Sequence, residues 1–266
     1  MDANQYEYII MIQNNRFLLI DFIRGIAVVT MIIFHFFYIL DFFVIKENQM
    51  YEGYFLILAR FTQITFLSLV GISLAVSKHF SKKQFVLKQY KRAFLIALCA
   101  IMVSLGTYLF LGNEIFVRFG ILHLISVSIF ICAYFADKKF LSLFLGILIF
   151  LISDLITGAD SSIKFFYIFG FDIGFVKSVD YFPVFPWLSL VFIGIFLGNL
   201  IFYYLKFILK LKNKFLLLMP GPIINDLRKI VKPVNFLGRH ALIIYMIHSP
   251  LIFVSILILK KYFTYT

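Results

Sequence analysis

Three ionisable residues stand in the apolar stretch LIDFIRGIAVVTMIIFH, residues 19–35. On a helix with 3.6 residues per turn, Asp21, Arg24 and His35 lie near-whole turns apart and are predicted to share one face. The spacing of Asp21 and Arg24 suits an ion pair, and His35 lies roughly 21 Å further along the helix. Ionisable groups are costly in hydrocarbon, so this face favours a function. The alternative is a salt bridge that anchors the helix end and a histidine hydrogen-bonded to a neighbouring helix.

A second cluster lies in RFGILHLIS, where His123 follows Arg118 at a distance of about 7 to 8 Å along a helix. Glu114 stands four residues before Arg118, so an ion pair between them is the structural alternative.

The third cluster is DYFPVFPW, residues 180–187, which opens another apolar run. Asp180 offers a carboxylate, and Trp187 suits a membrane interface or a stacked sugar. The two prolines bend or start the helix and release backbone carbonyls. Arg60, in an earlier apolar run, is predicted to lie near the same membrane level. A tryptophan and prolines that only anchor the helix are the alternative.

The fourth cluster is FLGRHALIIYMIHSPL, residues 236–251. Arg239 and His240 stand at its start, and His248 lies about 12 Å deeper. The basic residues at the start could serve only as topology signals. Together, the four clusters predict polar groups at both ends of the helices with histidines between them. That is the pattern of a path across a membrane for a substrate or a long cofactor.

Motifs of soluble active sites do not accompany these clusters. The sequence has no Gly-rich phosphate loop, no HExxH and no GxSxG. His35, His123 and His248 lack the short mutual spacing of a specific metal site, so we expect no metal. Cys99 and Cys132 both lie in apolar runs and are predicted to be small core residues.

The composition is that of an integral membrane protein. Of the 266 residues, 62% are hydrophobic and 14% are charged, and the mean hydropathy is +0.99, outside the usual range of soluble domains. Basic residues outnumber acidic ones by twelve. In so apolar a chain this excess indicates orientation signals rather than a nucleic-acid surface, and we expect no nucleic-acid partner.

The helices that must carry these clusters are predicted from apolar runs of about 20 residues, which cross roughly 30 Å of hydrocarbon. We predict an all-α bundle of about seven transmembrane helices, forming one domain over residues 1–266. The fifth run is short and contains an acid, so a bundle of six or eight transmembrane helices is the alternative. Gly194 and Gly198, in GIFLG of the sixth run, predict close helix packing. The predicted runs are 17–40, 54–77, 93–111, 115–135, 140–157, 182–205 and 236–259.

The basic residues also predict the orientation of the bundle. With a cytoplasmic N-terminus, sixteen Lys and Arg fall on the cytoplasmic side and five on the external side. Such an excess is the positive-inside signal. It places the segment 206–235 in the cytoplasm, and the loop 158–181 and the C-terminus outside.

Four stretches carry a family resemblance: RFLLIDFIRGIAVVTMIIFH, RFGILHLIS, DYFPVFPWLSLVFIGIFLG and FLGRHALIIYMIHSPL, in this order. They resemble the transmembrane acyltransferases related to heparan-alpha-glucosaminide N-acetyltransferase, including small prokaryotic members. The likeness covers roughly residues 16–259. The opening D-x-x-R-G alone is weak, because the wider membrane acyltransferase clan has a similar start, whereas the four stretches in sequence are specific.

The resemblance implies a transferase of a prokaryotic plasma membrane, with acetyl-CoA as the cytoplasmic donor and an external amino sugar or glycan as the acceptor. Cationic groups hold phosphates well, so the resemblance suggests a donor site at the inner mouth, which also includes the segment 78–92. His35 would be the general base, assisted by His123. The donor site would comprise Asp21, Arg24, Arg239, His240 and His248, and the acceptor site Arg60, Arg118, Asp180 and Trp187.

This chain departs from the family pattern at two places. The lysosomal member has an asparagine where this chain has His35, and its catalytic histidine lies in the first luminal loop. The corresponding loop here, DFFVIKENQMYEG, contains no histidine. The resemblance therefore moves the base to His35 or implies another mechanism, while His248 matches a family histidine in the last helix.

Two other classes of function stay open from the sequence. A transporter or channel could conduct a solute along the same polar path, although neither inverted halves nor broken helices are visible. A non-catalytic membrane subunit could use its buried charges for packing alone. Many helical membrane bundles self-associate, so a homo-oligomer also stays open beside the monomer.

Overall fold

The computed structural model describes residues 18–45, 52–80, 84–174, 177–211 and 231–263. It is 83% helical, and these ranges contain isolated bridges but no strand, so the predicted helical membrane bundle is confirmed. A π-helical turn, Asp41–Ile45, extends the first helix, and residues 231–239 form a helical stretch before the last one. The helices are α1 (Leu18–Leu40), α2 (Gly53–Phe80), α3 (Phe85–Leu111), α4 (Ile121–Cys132), α5 (Lys139–Ile156), α6 (Val184–Leu211) and α7 (Ala241–Phe263).

Six helices of the described chain are long and apolar enough to cross a membrane: α1 with its π-helical turn, α2, α3, α5, α6 and α7. The protein is therefore an integral membrane protein. The fifth predicted run, the shortest in the sequence, is a continuous helix of 18 residues. The fourth is shorter than predicted, because residues 113–120 form a turn and the apolar helix covers only Ile121–Phe135.

The direction of α1 and α7 shows why α4 belongs to the bundle. Asp21 of α1 contacts Arg239, His35 contacts His248, and further along Phe43 packs against Phe253 at 4.8 Å between ring centroids. Residue numbers rise together in both helices, so α1 and α7 run in the same direction. An odd number of crossings must therefore lie between them. Within the described ranges, four long helices lie between α1 and α7, namely α2, α3, α5 and α6. Together with α4 they make five helices, which is an odd number.

The chain divides into two compact units. The first contains Met1–Phe66 and Phe215–Thr266, where α1 packs against α7. The second is Leu67–Lys214, where α5 packs along α6, and α4 packs against α3 and α6. The boundary between the units falls inside α2.

Small residues bring α2 and α6 together in the second unit. A Cβ atom added to Gly194 would overlap the backbone carbonyl oxygen of Ser68, and one added to Gly198 would lie 2.9 Å from the Cα atom of Ile72. On the other helix, Gly71 faces the backbone of α6 just as closely. The close packing predicted from Gly194 and Gly198 is confirmed, and it follows the usual rule for helices in lipid.

Gly194→Ala should therefore destabilise the protein by about 1–3 kcal/mol, because the added methyl group must push two backbones apart. The matched control is Gly106→Ala in α3, where an added Cβ meets nothing within 4 Å and the exchange should stabilise the helix by about 0.5–1 kcal/mol. Thermal unfolding of both variants in detergent micelles measures the difference. Equal midpoints for the two variants would contradict this account of the α2–α6 contact.

Candidate functional site

Asp21 is the centre of a buried charge cluster in the first unit. Its side chain is 9% exposed. Its Oδ1 atom accepts a hydrogen bond from Arg24 Nη1 at 3.1 Å, and its Oδ2 atom accepts one from Arg239 Nε at 3.3 Å. The ion pair predicted from the spacing of Asp21 and Arg24 is confirmed. Arg239, 218 positions away, is a second partner that helical spacing could not reveal.

Two glycines allow this cluster to form. A Cβ atom added to Gly238 would overlap the backbone carbonyl oxygen of Asp21, and one added to Gly25 would overlap that of Val234. The start of α1 and the helical stretch 231–239 therefore meet backbone to backbone. Because Arg239 directly follows Gly238, this approach brings its guanidinium to the Asp21 carboxylate. The sequence patterns D-x-x-R-G, residues 21–25, and G-R, residues 238–239, therefore belong to one contact in the structure.

His35 and His248 form a ring pair between α1 and α7. Their ring centroids are 4.7 Å apart and the rings are nearly perpendicular, at 89°. His248 is buried and His35 is half-buried. The two histidines come from sequence clusters one and four, and the fold brings them into contact.

The backbone determines which nitrogen of each neutral ring carries the proton. His35 Nδ1 lies 2.9 Å from Met31 O, and His248 Nδ1 lies 2.8 Å from Tyr245 O. A carbonyl oxygen can only accept, so each Nδ1 carries the proton and donates it. The Nε2 atoms are then acceptors. Ser249 Oγ donates to His248 Nε2 at 3.0 Å, a contact that the HS dipeptide could have suggested.

His35 Nε2 has no hydrogen-bond donor among the residues that the structure describes. In the tautomer that carries its proton on Nδ1, this Nε2 atom therefore has an available lone pair, as far as the described residues go. A group of this kind can take a proton from a nearby amine or hydroxyl. The ring is held by its other nitrogen, which fixes the direction of that lone pair.

Other predicted site residues of the first unit have local partners. His240 Nδ1 donates to Phe236 O at 2.9 Å, and its ring packs on the Phe236 ring at 4.2 Å between centroids. Arg60 is exposed and donates from Nη1 to Gln63 Oε1 at 3.2 Å. Neither residue contacts the histidine pair through these bonds.

In the second unit, Arg118 organises the turn between α3 and α4. Its guanidinium donates to the backbone carbonyl oxygens of Asn113, Glu114 and Lys177, and lies 4.4 Å from the ring centroid of Phe116. The contact with Glu114 therefore runs through the backbone. Arg118 joins this turn to the loop before α6 by using carbonyls that a turn leaves unpaired.

His123 and Asp180 cap the start of α4. Gly120 N donates to His123 Nδ1 at 3.2 Å, and the next amide, that of Ile121, donates to Asp180 Oδ2 at 3.1 Å. On the other side of the ring, His123 Nε2 lies 3.4 Å from Ser104 Oγ. Both nitrogens of this histidine thus have partners. The capping carboxylate also suits the positive end of the helix.

Two tyrosines beside this turn escaped the sequence analysis. Tyr167 and Tyr181 stack at 4.2 Å between ring centroids. Burial raises the pKa of Tyr167 to about 12, although Ser178 and Arg118 act in the opposite direction. Burial also raises the pKa of Tyr181, with a further contribution from Tyr167. Both hydroxyls therefore stay protonated at neutral pH.

The predicted site residues thus fall into groups. In the first unit, Asp21 joins Arg24 and Arg239, and His35 joins His248. The second unit holds Arg118, His123 and Asp180 around one turn, while Trp187 packs on Phe182 at 4.9 Å. His35 and His123, the two predicted catalytic residues, belong to different units.

These features define a helical membrane protein with a paired carboxylate and a histidine pair inside its apolar helices. The sequence model of the catalytic domain of heparan-alpha-glucosaminide N-acetyltransferase matches residues 16–250. The chain belongs to this family of membrane acetyltransferases, as its four sequence stretches predicted. Comparison with curated proteins and with solved structures gives no match.

Asp21→Asn should lower the free energy of unfolding by about 3 kcal/mol, because it removes the buried carboxylate charge that Arg24 and Arg239 contact. Arg239→Gln should cost less, since the Arg239 side chain is 41% exposed and Asp21 keeps Arg24. Thermal unfolding in detergent micelles measures both effects.

The control for this comparison is Asp160→Asn, which removes the same charge from an exposed residue. A loss of stability in Asp21→Asn no greater than that in the control would show that the charge cluster does not hold the helices together.

Proposed function

We propose that this protein is a membrane acyltransferase that moves an acetyl group from cytoplasmic acetyl-CoA to an external amino sugar or glycan. Membership of the acetyltransferase family supports the reaction class. The observation that carries the mechanism is the available Nε2 lone pair of His35, held against His248 between two apolar helices. Both residues lie inside the segment that the family model matches.

His35 is the general base of this mechanism. The acceptor nitrogen or oxygen attacks the thioester carbon, and the new bond to the acetyl group forms as the carbon–sulfur bond breaks. His35 Nε2 takes the proton from the acceptor, and CoA leaves with the electrons of the broken bond. General-base catalysis of this type contributes about 10²–10⁴ in rate. His248 supports the ring of His35 from α7.

The charge cluster at the start of α1 is the proposed donor site. Arg24 and Arg239 both contact the Asp21 carboxylate, and the Arg239 side chain remains 41% exposed. Guanidinium groups bind phosphate oxygens through paired hydrogen bonds. Asp21 would then orient both arginines.

Arg118, Asp180 and Trp187 are the proposed acceptor residues of the second unit, and His123 has a different role. Arg60, in the first unit, stays a separate proposal for acceptor binding. Both His123 ring nitrogens have partners, so it would position the turn before α4 rather than transfer a proton. Asp180 and Arg118 would shape the same turn through their backbone contacts. His35 alone is then the proposed base, in a chain whose first loop has no histidine.

His35→Gln should lower acetyl transfer by at least about a hundredfold, because the amide cannot take up the proton. The measurement is the release of free CoA thiol from acetyl-CoA with a panel of amino sugars. Acetyl-CoA binding, measured by calorimetry, should stay within a few-fold of wild type, while Arg239→Gln should weaken that binding.

Ser255→Ala is the matched control, because Ser255 is an exposed residue of α7 whose hydroxyl donates to Leu251 O of the same helix. Its turnover should equal that of the wild-type protein. Unchanged turnover in His35→Gln would remove His35 from the reaction, and a wild-type protein that does not bind acetyl-CoA would remove the donor.

The proposed orientation places the donor site in the cytoplasm of a prokaryotic cell and the loop 158–181 outside the plasma membrane. In a variant without Cys99 and Cys132, a membrane-impermeant maleimide should label Asp160→Cys in intact cells. Asp137→Cys, also exposed, should react only after the cells are opened. The reverse pattern would invert the proposed direction of transfer.

A further inference from the structure

The turn between α4 and α5 carries two adjacent lysines at the junction of two apolar helices. The apolar helix Ile121–Phe135 leads into this turn, and α5, which begins at Lys139, is long enough to cross a membrane. Lys138 and Lys139 therefore lie at the edge of the hydrocarbon layer. The turn belongs to the second unit, and none of the contacts that define the charge cluster or the histidine pair involves it.

Hydrogen bonds hold this turn in place. Lys138 N donates to Phe135 O at 2.9 Å, and Ser142 Oγ donates to the same carbonyl at 3.2 Å. Asn199 Nδ2, buried on α6, donates to Ala136 O at 2.9 Å. The backbone that leads to the two lysines is therefore anchored to two transmembrane helices, α5 and α6.

Each lysine ammonium group lies over an aromatic ring. Lys138 Nζ is 4.0 Å from the ring centroid of Tyr134, and Lys139 Nζ is 5.1 Å from that of Phe140. The two rings are themselves accessible, since Tyr134 is 63% exposed and Phe140 is 74% exposed. A cation attracted to a ring face keeps its hydrogen-bond donors. Both ammonium groups thus have defined positions and N–H groups that can donate to an anion.

The carboxylate nearest in sequence is directed to another cation. Asp137 pairs with Lys78, at the end of α2, with 3.5 Å between Oδ2 and Nζ. Neither Lys138 nor Lys139 forms an ion pair with a residue of the described ranges. No carboxylate of that part of the chain therefore offsets the two lysines.

An exposed apolar surface continues from the lysines along α5. Its residues follow each other at intervals of four, three, four and four positions, which places them on one face of a helix. They are Phe140, Phe144, Ile147, Leu151 and Leu155. A molecule with an anionic group at the lysines and long apolar chains fits this combination of surfaces.

We propose that Lys138 and Lys139 bind the phosphate of an anionic phospholipid, such as phosphatidylglycerol, whose acyl chains pack along the exposed face of α5. Lysines at a helix end reach the headgroup level, and aromatic rings suit the same interface. The predicted orientation assigns this turn to the cytoplasmic leaflet. Attraction to anionic lipid amounts to about fivefold in affinity for each lysine near the surface. Lipid binding requires neither acetyl-CoA nor His35, so the inference is independent of the proposed function.

The test is fluorescence quenching by brominated lipids, with the full-length protein in vesicles and one tryptophan as the reporter. Trp187 is the single tryptophan of the chain. Trp187→Phe combined with Tyr134→Trp moves the reporter to the lysines and keeps an aromatic ring beneath Lys138. Brominated phosphatidylglycerol should bind beside this reporter at least about fivefold more tightly than brominated phosphatidylcholine. Equal quenching by the two lipids would overturn the proposal.

Charge variants in this reporter protein locate the lipid. Lys138→Gln with Lys139→Gln should bring the affinities for the two lipids close to equality, whereas arginine at both positions should retain the preference. The matched control is Lys164→Gln with Lys177→Gln, which removes two exposed lysines from the loop 158–181 and should change nothing. A preference that survives the first pair of substitutions, or that falls equally in the control, would contradict a site at these lysines.

Two further measurements distinguish a local lipid site from its alternatives. A reporter at the other end of the bundle, Phe110→Trp near the exposed end of α3, should show no preference for phosphatidylglycerol. Acetyl-CoA shares the phosphate chemistry but has no long acyl chains, and it should not displace the brominated lipid from Tyr134→Trp. The same preference at both reporters would mean a general attraction to the membrane surface, and displacement by acetyl-CoA would assign the lysines to the donor. Either result would overturn the lipid site.

Discussion

The carboxylate of Asp21 imposes the main constraint on the first unit. A buried charge in an apolar environment is tolerated only with counter-charges at hydrogen-bond distance. Arg24 lies on the same helix as Asp21, whereas Arg239 lies 218 positions further along the chain. The glycines at positions 25 and 238 allow Arg239 to reach Asp21, because without Cβ atoms the two backbones can come into contact.

The contact at Asp21 also sets how α1 and α7 lie beside each other. From it, both helices run in the same direction, and further along them His35 meets His248. In each ring a backbone carbonyl of the same helix holds Nδ1–H. The Nε2 atom is then the acceptor in each ring. The backbone of α1 therefore determines which nitrogen of His35 can take up a proton. The polar groups between α1 and α7 thus comprise the charge cluster at the start of α1 and the histidine pair further along both helices.

The turn before α4 shows how polar side chains in a membrane protein can satisfy the backbone groups of a turn. A turn exposes carbonyl and amide groups that no helix satisfies. Arg118 takes up the carbonyls, and His123 and Asp180 take up two successive amides at the start of α4. This explains why α4 is shorter than the apolar run that contains it: the first residues of that run are used in the turn.

The sequence by itself determined the membrane class, the approximate helices, the Asp21–Arg24 pair and the close packing at Gly194 and Gly198. Each of these depends on composition or on spacing within one helix, where 3.6 residues per turn decides which side chains meet. The sequence also carried the family, since four ordered stretches resembled it before any contact was known.

Only the tertiary structure decided that Arg239 reaches Asp21 and that His35 meets His248. These pairs are far apart along the chain, and no periodicity relates them. It also decided that both nitrogens of His123 are engaged while Nε2 of His35 is not, within the described residues. A histidine's residue type offers two nitrogens, but its neighbours in space determine which of them can accept a proton.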